Sequence, residues 1–220
     1  MLRTTPVGKA LAFIVLLASG GLALPAKATL VLDLGPGGFA LPCDNICGTT
    51  NGRTFGWSFD VTSTIQVNGL AAWDSVVAAF GRDVQAGLWT DAGALLASTT
   101  ISGSSPSEPS NGDGVWRVES IAVLTLTPGR YLLGQVFFDG SPIVQSEAPI
   151  TTIPEITLVE GRTSSIFDGG LAFPDWPFNP PPFGPNLRLA QLPEPATIAL
   201  FGFGLGLVGI GSLIRRRRGL

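Results

Sequence analysis

The last thirty or so residues constrain this chain most. The run from Ala196 to Ile214 is nineteen residues without a charge, and as a helix it would be about 28 Å long at roughly 1.5 Å per residue. That length is close to the ~30 Å hydrocarbon core of a bilayer. Pro193 and Pro195 precede the run and cannot continue a helix. Four arginines (215–218) follow it, which predicts a transmembrane helix with its arginine end in the cytoplasm.

The order of these parts resembles the PEP-CTERM sorting signal of Gram-negative bacteria. The resemblance is carried by the apolar span and by residues Pro193, Glu194, Pro195, Arg215, Arg216, Arg217 and Arg218. It implies that residues 192–220 are handled by an exosortase, an intramembrane cysteine protease-transpeptidase, and that the protein reaches the cell surface or the exopolysaccharide matrix. The alternative is an ordinary C-terminal anchor helix, which does not require Pro-Glu-Pro.

The N-terminal residues have the pattern of a secretory signal peptide. Arg3 and Lys9 precede an apolar run from Ala10 to Leu24, and Ala26-Lys27-Ala28 follows it. A basic region, an apolar region and an A-x-A site in this order predict cleavage after Ala28. An uncleaved N-terminal anchor is the alternative. Residues 29–191 then form the exported body, whose length fits one domain with its own core.

The body is acidic once both terminal segments are set aside. Between Thr29 and Ala190 there are six arginines, no lysine and fifteen acids, which gives a net charge of about −9. An acidic, lysine-free surface argues against nucleic acid and anionic lipid headgroups as partners. We therefore expect a body that is soluble outside the cell.

The only two cysteines of the chain, Cys43 and Cys47, lie close together in sequence. In an oxidising compartment this spacing favours a local disulfide that holds the loop from Leu41 to Gly48. A metal site would need further ligands, and the chain has no histidine and no other cysteine. No metal or other cofactor is expected.

The body has the alternating pattern of β-strands. Short apolar segments are separated by glycine and proline turns, and no sustained 3.6-residue apolar stripe is present. Residues 84–90 and 94–101 flank Asp91-Ala92-Gly93 and predict a hairpin. Residues 102–114 are predicted to be a polar loop, and residues 71–80 at most one or two helical turns. The spacing predicts an all-β antiparallel sandwich.

Several of these segments resemble the small jelly-roll modules of unknown function that are common in PEP-CTERM proteins. The segments are Val84 to Ser98, Phe55-Gly-Trp-Ser-Phe, Leu126 to Gly134 and Phe183 to Leu189. This resemblance implies a jelly-roll-like fold and an extracellular location but no activity. The proline-rich segment 173–186 is expected to pack along the sandwich and to lead into a last strand.

The absence of histidine excludes histidine-based triads and histidine-bound metals. Asp74, Asp83, Glu119 and Asp139 could supply the carboxylate pair of a glycosidase, although an isolated surface acid is the ordinary interpretation of each. The chain has five tryptophans, and exposed aromatic rings can stack on sugar rings, so glycan binding is a candidate role. Trp57, Trp89 and Trp116 alternate with apolar neighbours and are predicted to be core, whereas Trp73 and Trp176 are the candidates for exposed glycan contacts.

Together these patterns predict a non-enzymatic protein with a structural or adhesive role. It would be exported, held transiently in the inner membrane, sorted through its tail by an exosortase and displayed on the surface or in exopolysaccharide. A carbohydrate-binding module of the extracellular matrix is the first alternative. A glycoside-active jelly-roll enzyme is the second.

Overall fold

The structure of the protein is a computed structural model. It describes residues 29–35, 39–42, 52–75, 81–138, 141–145, 150–166, 168–179, 181 and 183–190. The predicted signal peptide, the predicted disulfide loop and the predicted transmembrane helix therefore lie outside the described residues. No helix in the described part of the chain is long and apolar enough to cross a membrane.

The described residues form short strands joined by turns, as the alternating sequence predicts. In chain order they are β1 (Leu32–Leu34), β2 (Phe39–Pro42), β3 (Arg53–Val61), β4 (Ile65–Ser75), β5 (Val84–Thr90), β6 (Leu95–Ile101), β7 (Ser107–Pro109), β8 (Gly114–Leu126), β9 (Gly129–Phe137), β10 (Pro142–Gln145), β11 (Ile150–Thr152), β12 (Ile156–Thr163), β13 (Trp176–Phe178) and β14 (Pro185–Leu189).

Two antiparallel sheets form the body. A six-stranded sheet has the order β13-β12-β3-β9-β5-β6, and a four-stranded sheet has the order β14-β4-β8-β7. Two short pairs, β1 with β11 and β10 with β2, complete the described strands. The chain passes repeatedly from one large sheet to the other, as it does from β3 to β4 and from β8 to β9. The fold is all-β and sandwich-like, which confirms the predicted class and is compatible with a jelly roll.

The core lies between the two large sheets. Trp57 and Phe59 of β3, Leu88 of β5 and Leu133 of β9 enter it from the six-stranded sheet. The four-stranded sheet contributes Val67, Leu70, Trp73, Trp116, Val118 and Leu187. The predicted core positions of Trp57 and Trp116 are confirmed. Trp89 is also buried, but its ring lies on the outer face of the six-stranded sheet and is not part of this core.

The hairpin predicted for residues 84–90 and 94–101 is confirmed. The hairpin of β5 and β6 closes on Gly93, which has a φ of +86° that favours glycine. Two predictions are wrong. Residues 71–75 are not helical but continue β4, because they pair with β8 along their whole length. The polar loop 102–114 contains β7, which pairs with residues 115–117 of β8.

A row of glycines crosses the outer face of the six-stranded sheet. Gly56 lies opposite Gly134, and Gly134 lies opposite Gly87 on the next strand. A Cβ at Gly87 would be 2.7 Å from the Trp89 ring and 2.8 Å from Leu171. Because these glycines have no side chains, the Trp89 ring and the segment around Leu171 can pack directly on the backbone of the sheet.

Candidate functional site

The C-terminal end of the body is paired with its N-terminal segment. The Leu189 backbone nitrogen donates a 2.9 Å hydrogen bond to the Thr29 carbonyl, and the Val31 nitrogen donates a 2.9 Å bond to the Leu187 carbonyl. Leu30 and Arg188 form an antiparallel bridge between these bonds. β14 pairs with β4 along one edge. The segment 29–32 lies along its other edge.

A buried asparagine fixes this pairing. The Asn186 side chain is fully buried; its Oδ1 accepts a hydrogen bond from the Leu32 nitrogen at 3.1 Å, and its Nδ2 donates to the Leu32 carbonyl at 2.7 Å. The same Oδ1 accepts from the Leu187 nitrogen at 2.8 Å. An amide can satisfy a backbone donor and a backbone acceptor at once, so Asn186 pairs with Leu32 as a neighbouring strand would.

Arg188 ties β14 to its neighbouring strands in the sheet. Its guanidinium donates to the Asn68 side-chain oxygen at 2.9 Å, to the Asn68 carbonyl at 3.1 Å and to the Ser120 hydroxyl at 2.9 Å. The side chain crosses Gly69, where a Cβ would be 2.9 Å from Nε. One arginine therefore connects β14 with β4 and β8.

The last described backbone bond of the body lies directly before the predicted sorting segment. The Ala190 nitrogen donates to the Gln66 carbonyl at 2.8 Å, so only Gln191 and Leu192 separate the paired strand from Pro193. Since Thr29 lies beside Leu189, the predicted signal-peptide site and the start of the C-terminal tail meet at one place on the body. We call this place, residues 29–32 with residues 186–190, the terminal junction.

A pocket of about 320 Å³ lies beside the terminal junction. Its apolar lining includes Leu32 and Trp116, and its polar lining includes Asp33, Glu108 and Asn111. Asn111 Nδ2 donates to Asp33 Oδ2, and Glu108 Oε1 is 3.8 Å from Arg188 Nη1. Two carboxylates and no basic side chain line the pocket. It suits hydroxyl groups or a cation better than an anion.

Of the four acids proposed for a glycosidase pair, the three that the structure describes do not line this pocket. Asp74 forms a 2.7 Å ion pair with Arg117. Glu119 accepts a 2.6 Å hydrogen bond from the Ser105 hydroxyl. Asp83 is exposed in the turn before β5, and Asp139 lies outside the described residues. Among the residues that the structure describes, no group of three or more acids or cysteines could hold a metal ion.

The predicted exposure of Trp73, one of the two tryptophans proposed for glycan contact, is wrong. Trp73 is fully buried and lies opposite Trp116 in the β4–β8 register, with ring centroids 5.0 Å apart. It was predicted to be exposed because Asp74 follows it, but β4 continues to Ser75 and places the ring in the core. Trp176 is 61% exposed on β13, as predicted. Glycan contact by Trp176 stays a prediction.

The remaining predicted site residues lie outside the described part of the chain. They are the signal-peptide residues Ala26 and Ala28, the cysteines Cys43 and Cys47, and the sorting residues Pro193, Glu194, Pro195, Arg215, Arg216, Arg217 and Arg218. Sequence reasoning did not identify Asn186 or Arg188. In the sequence these two polar residues alternate with Leu187 and Leu189, which indicates a strand. The alternation does not indicate which residues their side chains contact.

Comparison with known protein families gives a match at the C-terminal end of the chain. Residues 191–218 match the PEP-CTERM protein-sorting motif. The match begins at the residue after Ala190, where the described body ends. No curated protein is significantly similar to the chain. No solved structure is significantly similar to it either.

Proposed function

We infer that this chain, which carries a PEP-CTERM protein-sorting motif, is a non-enzymatic structural or adhesive protein of the cell surface. The motif indicates an exported protein that is transiently anchored in a membrane before cleavage. Signals of this type are recognised by exosortase-type membrane enzymes, so such an enzyme is the general partner. The finer role, in the surface layer or in exopolysaccharide, is our proposal.

The position of the motif supports the part of this proposal that concerns export and sorting. It starts one residue after the last hydrogen-bonded residue of an all-β body. The body is a closed structural unit up to that point, because β14 is paired with β4 on one edge and with residues 29–32 on the other. A tail that begins where the fold ends can be removed without loss of a described strand.

The proposed membrane topology follows from charge. The body would be periplasmic and acidic, and the arginine cluster would stay on the cytoplasmic side because arginines next to a span resist translocation. Both ends of the body meet at the terminal junction. An uncleaved precursor could therefore enter the membrane twice from one side of the body without crossing its sheets.

Intact-mass analysis of the protein tests the sorting step. In cells with the exosortase we expect a product that lacks the arginine tail, and in cells without it a precursor that retains the tail. A Glu194→Ala variant should accumulate as the precursor in both strains. A product that keeps the tail in both strains would indicate a permanent anchor instead.

A second candidate function is carbohydrate binding in the extracellular matrix. Two observations support it: the exposed indole of Trp176, which can stack on a sugar ring, and the pocket lined by Asp33 and Asn111, whose side chains can bond to hydroxyls. A glycan array tests it. Binding that is reduced by Trp176→Ala or by Asp33→Asn would support this candidate, and an array without any binding would remove it.

The enzyme alternative has one supporting observation. Asp33 and Glu108 line the same pocket, and glycoside hydrolysis requires two carboxylates that flank one bond. The test is release of reducing sugar from the polysaccharide of the producing cells. Activity that is lost in both Asp33→Asn and Glu108→Gln would replace the non-enzymatic proposal.

A further inference from the structure

β6 is an open edge of the six-stranded sheet. It has seven residues and pairs with β5 on one side. No other described strand pairs with its second side. An edge of this kind presents alternating N–H and C=O groups that can accept another strand. Proteins normally protect such edges with prolines, charges, bulges or a covering segment.

The outermost strands at the other edges of the two large sheets are protected, although residues 119–126 of β8 extend beyond β7 without a described strand partner on that side. β13 and β7 have three residues each and contain Pro177 and Pro109. The edge of β14 is covered by residues 29–32. β13 does not cover residues 156–160 of β12, and this uncovered part ends at the charged residue Glu160. β6 contains no proline and no charge, and its register shift, opposite Leu88 and Trp89, affects only its first residues. Residues 97–101 are regular.

The charge distribution indicates which partner can pair with the open edge of β6. Residues 92–107 contain no charged side chain, whereas the body between Thr29 and Ala190 has a net charge of about −9. Two copies of the body would repel each other across most of their surfaces but not along β6. Leu95 and Leu96 are 52% and 37% exposed at the start of this strand. β6 also contacts β8, where residues 121–126 carry no charge and Val123 is exposed.

We propose that β6 pairs antiparallel with β6 of a second copy of this chain, about a two-fold axis at Thr99. In this register Ala97 lies opposite Ile101 of the other copy, and Ser98 lies opposite Thr100. Facing Ser and Thr side chains stabilise antiparallel pairs, and a two-fold axis makes the contact self-complementary and closed. The two six-stranded sheets then become one continuous sheet across the dimer.

Disulfide trapping in the full chain tests the register. Directly opposed residues in an antiparallel pair have Cα atoms about 4.5–5.5 Å apart, which is within the range of a disulfide. We expect Thr99→Cys to give a covalent dimer on a non-reducing gel after export. The matched control is Thr157→Cys on β12, and the unsubstituted chain controls for Cys43 and Cys47. Absence of a dimer specific to Thr99→Cys would overturn the proposed axis.

Hydrogen–deuterium exchange of the full chain in detergent tests the pairing itself and separates it from association through the tail. The peptide that covers 94–102 should become slower to exchange as the protein concentration rises. A Ser98→Glu/Thr100→Glu variant places like charges opposite each other and should abolish this protection. The control variant Gln66→Glu/Thr157→Glu adds the same charge at exposed positions elsewhere and should keep it. β6 amides that exchange freely at every concentration would overturn the proposal, as would protection that persists in the β6 variant.

Discussion

The Leu189 backbone nitrogen donates a 2.9 Å hydrogen bond to the carbonyl oxygen of Thr29. This bond joins the residue next to the predicted signal-peptide cleavage site to a residue just before the sorting motif. It places the two ends of the exported body side by side, and it is reinforced by the buried side chain of Asn186. The terminal junction therefore lies next to both predicted processing sites.

Asn186→Ala is expected to lower the free energy of unfolding by about 3 kcal/mol. The substitution leaves the nitrogen and the carbonyl of Leu32 without their side-chain partner in the core, and each unpaired buried group costs roughly 1–3 kcal/mol. Denaturant unfolding of the full chain in detergent measures the change. Asn179→Ala, at an exposed position, is the control, and an equal loss in both variants would contradict the role of Asn186.

The glycine row should tolerate no side chain at Gly56. A Cβ there would overlap the Leu133 carbonyl oxygen and would lie 2.7 Å from the Gly134 Cα, and both of these are backbone atoms that cannot rotate away. We expect Gly56→Ala to destabilise the body by more than about 2 kcal/mol. Gly81→Ala is the control, because its Cβ would meet nothing within 4 Å. Thermal unfolding compares them, and similar midpoints would refute the close packing.

The two tryptophans that the sequence grouped together should respond differently to substitution. Trp73→Ala removes a fully buried ring packed on Trp116, and we expect a loss of about 3–5 kcal/mol. Trp176→Ala removes a ring that is 61% exposed, and we expect a change below about 1 kcal/mol. Chemical denaturation measures both. A larger loss for Trp176→Ala than for Trp73→Ala would contradict the described burial.

Acid should weaken the contact between β3 and β9. The Arg130 side chain donates hydrogen bonds to Asp60 at 2.9 and 3.1 Å and holds the pKa of Asp60 below its usual value. Because the folded pKa is the lower one, the stabilisation is present above the unfolded pKa, about 3.9, and is lost as the pH falls through the folded pKa. The effect is modest since both side chains are about two-fifths exposed.

Asp60→Asn tests this dependence. Its unfolding free energy should fall less than that of the native chain between neutral pH and a pH below the ordinary aspartate pKa. Asp83→Asn, at an exposed turn position, should keep the native dependence. Identical pH profiles for the native chain and Asp60→Asn would show that the ion pair does not contribute.

Signal-peptide cleavage should make Thr29 the first residue of the mature chain. A bulky residue is not accepted at the small-residue positions of an A-x-A site, so Ala28→Tyr should leave the precursor uncleaved. Lys27→Gln changes only the middle position and should be processed normally. N-terminal sequencing of the exported protein measures both, and a mature chain that starts elsewhere would place the site at another residue.

Local patterns predicted most of the strands because their causes are local. The period-two alternation of the body and the hairpin around Asp91-Ala92-Gly93 depend on neighbouring residues, and both are found as predicted. β7 was missed because its pairing with β8 comes from a long-range contact of a polar segment. The exposure assigned to Trp73 was wrong for a similar reason: its partner Trp116 is distant in sequence and is brought opposite by the β4–β8 register.

The sequence alone determined the C-terminal sorting motif and the all-β class of the body, and it predicts the N-terminal signal peptide. Span length, charge at the ends of an apolar run, and period-two alternation are properties of consecutive residues, and physical chemistry acts on them before the chain has folded. Only the tertiary structure decided which tryptophan is buried, that three glycines form one row, and that Thr29 meets Leu189. These relations arise from strand order and register, and sheet pairing brings together residues whose separation along the chain carries no local signal.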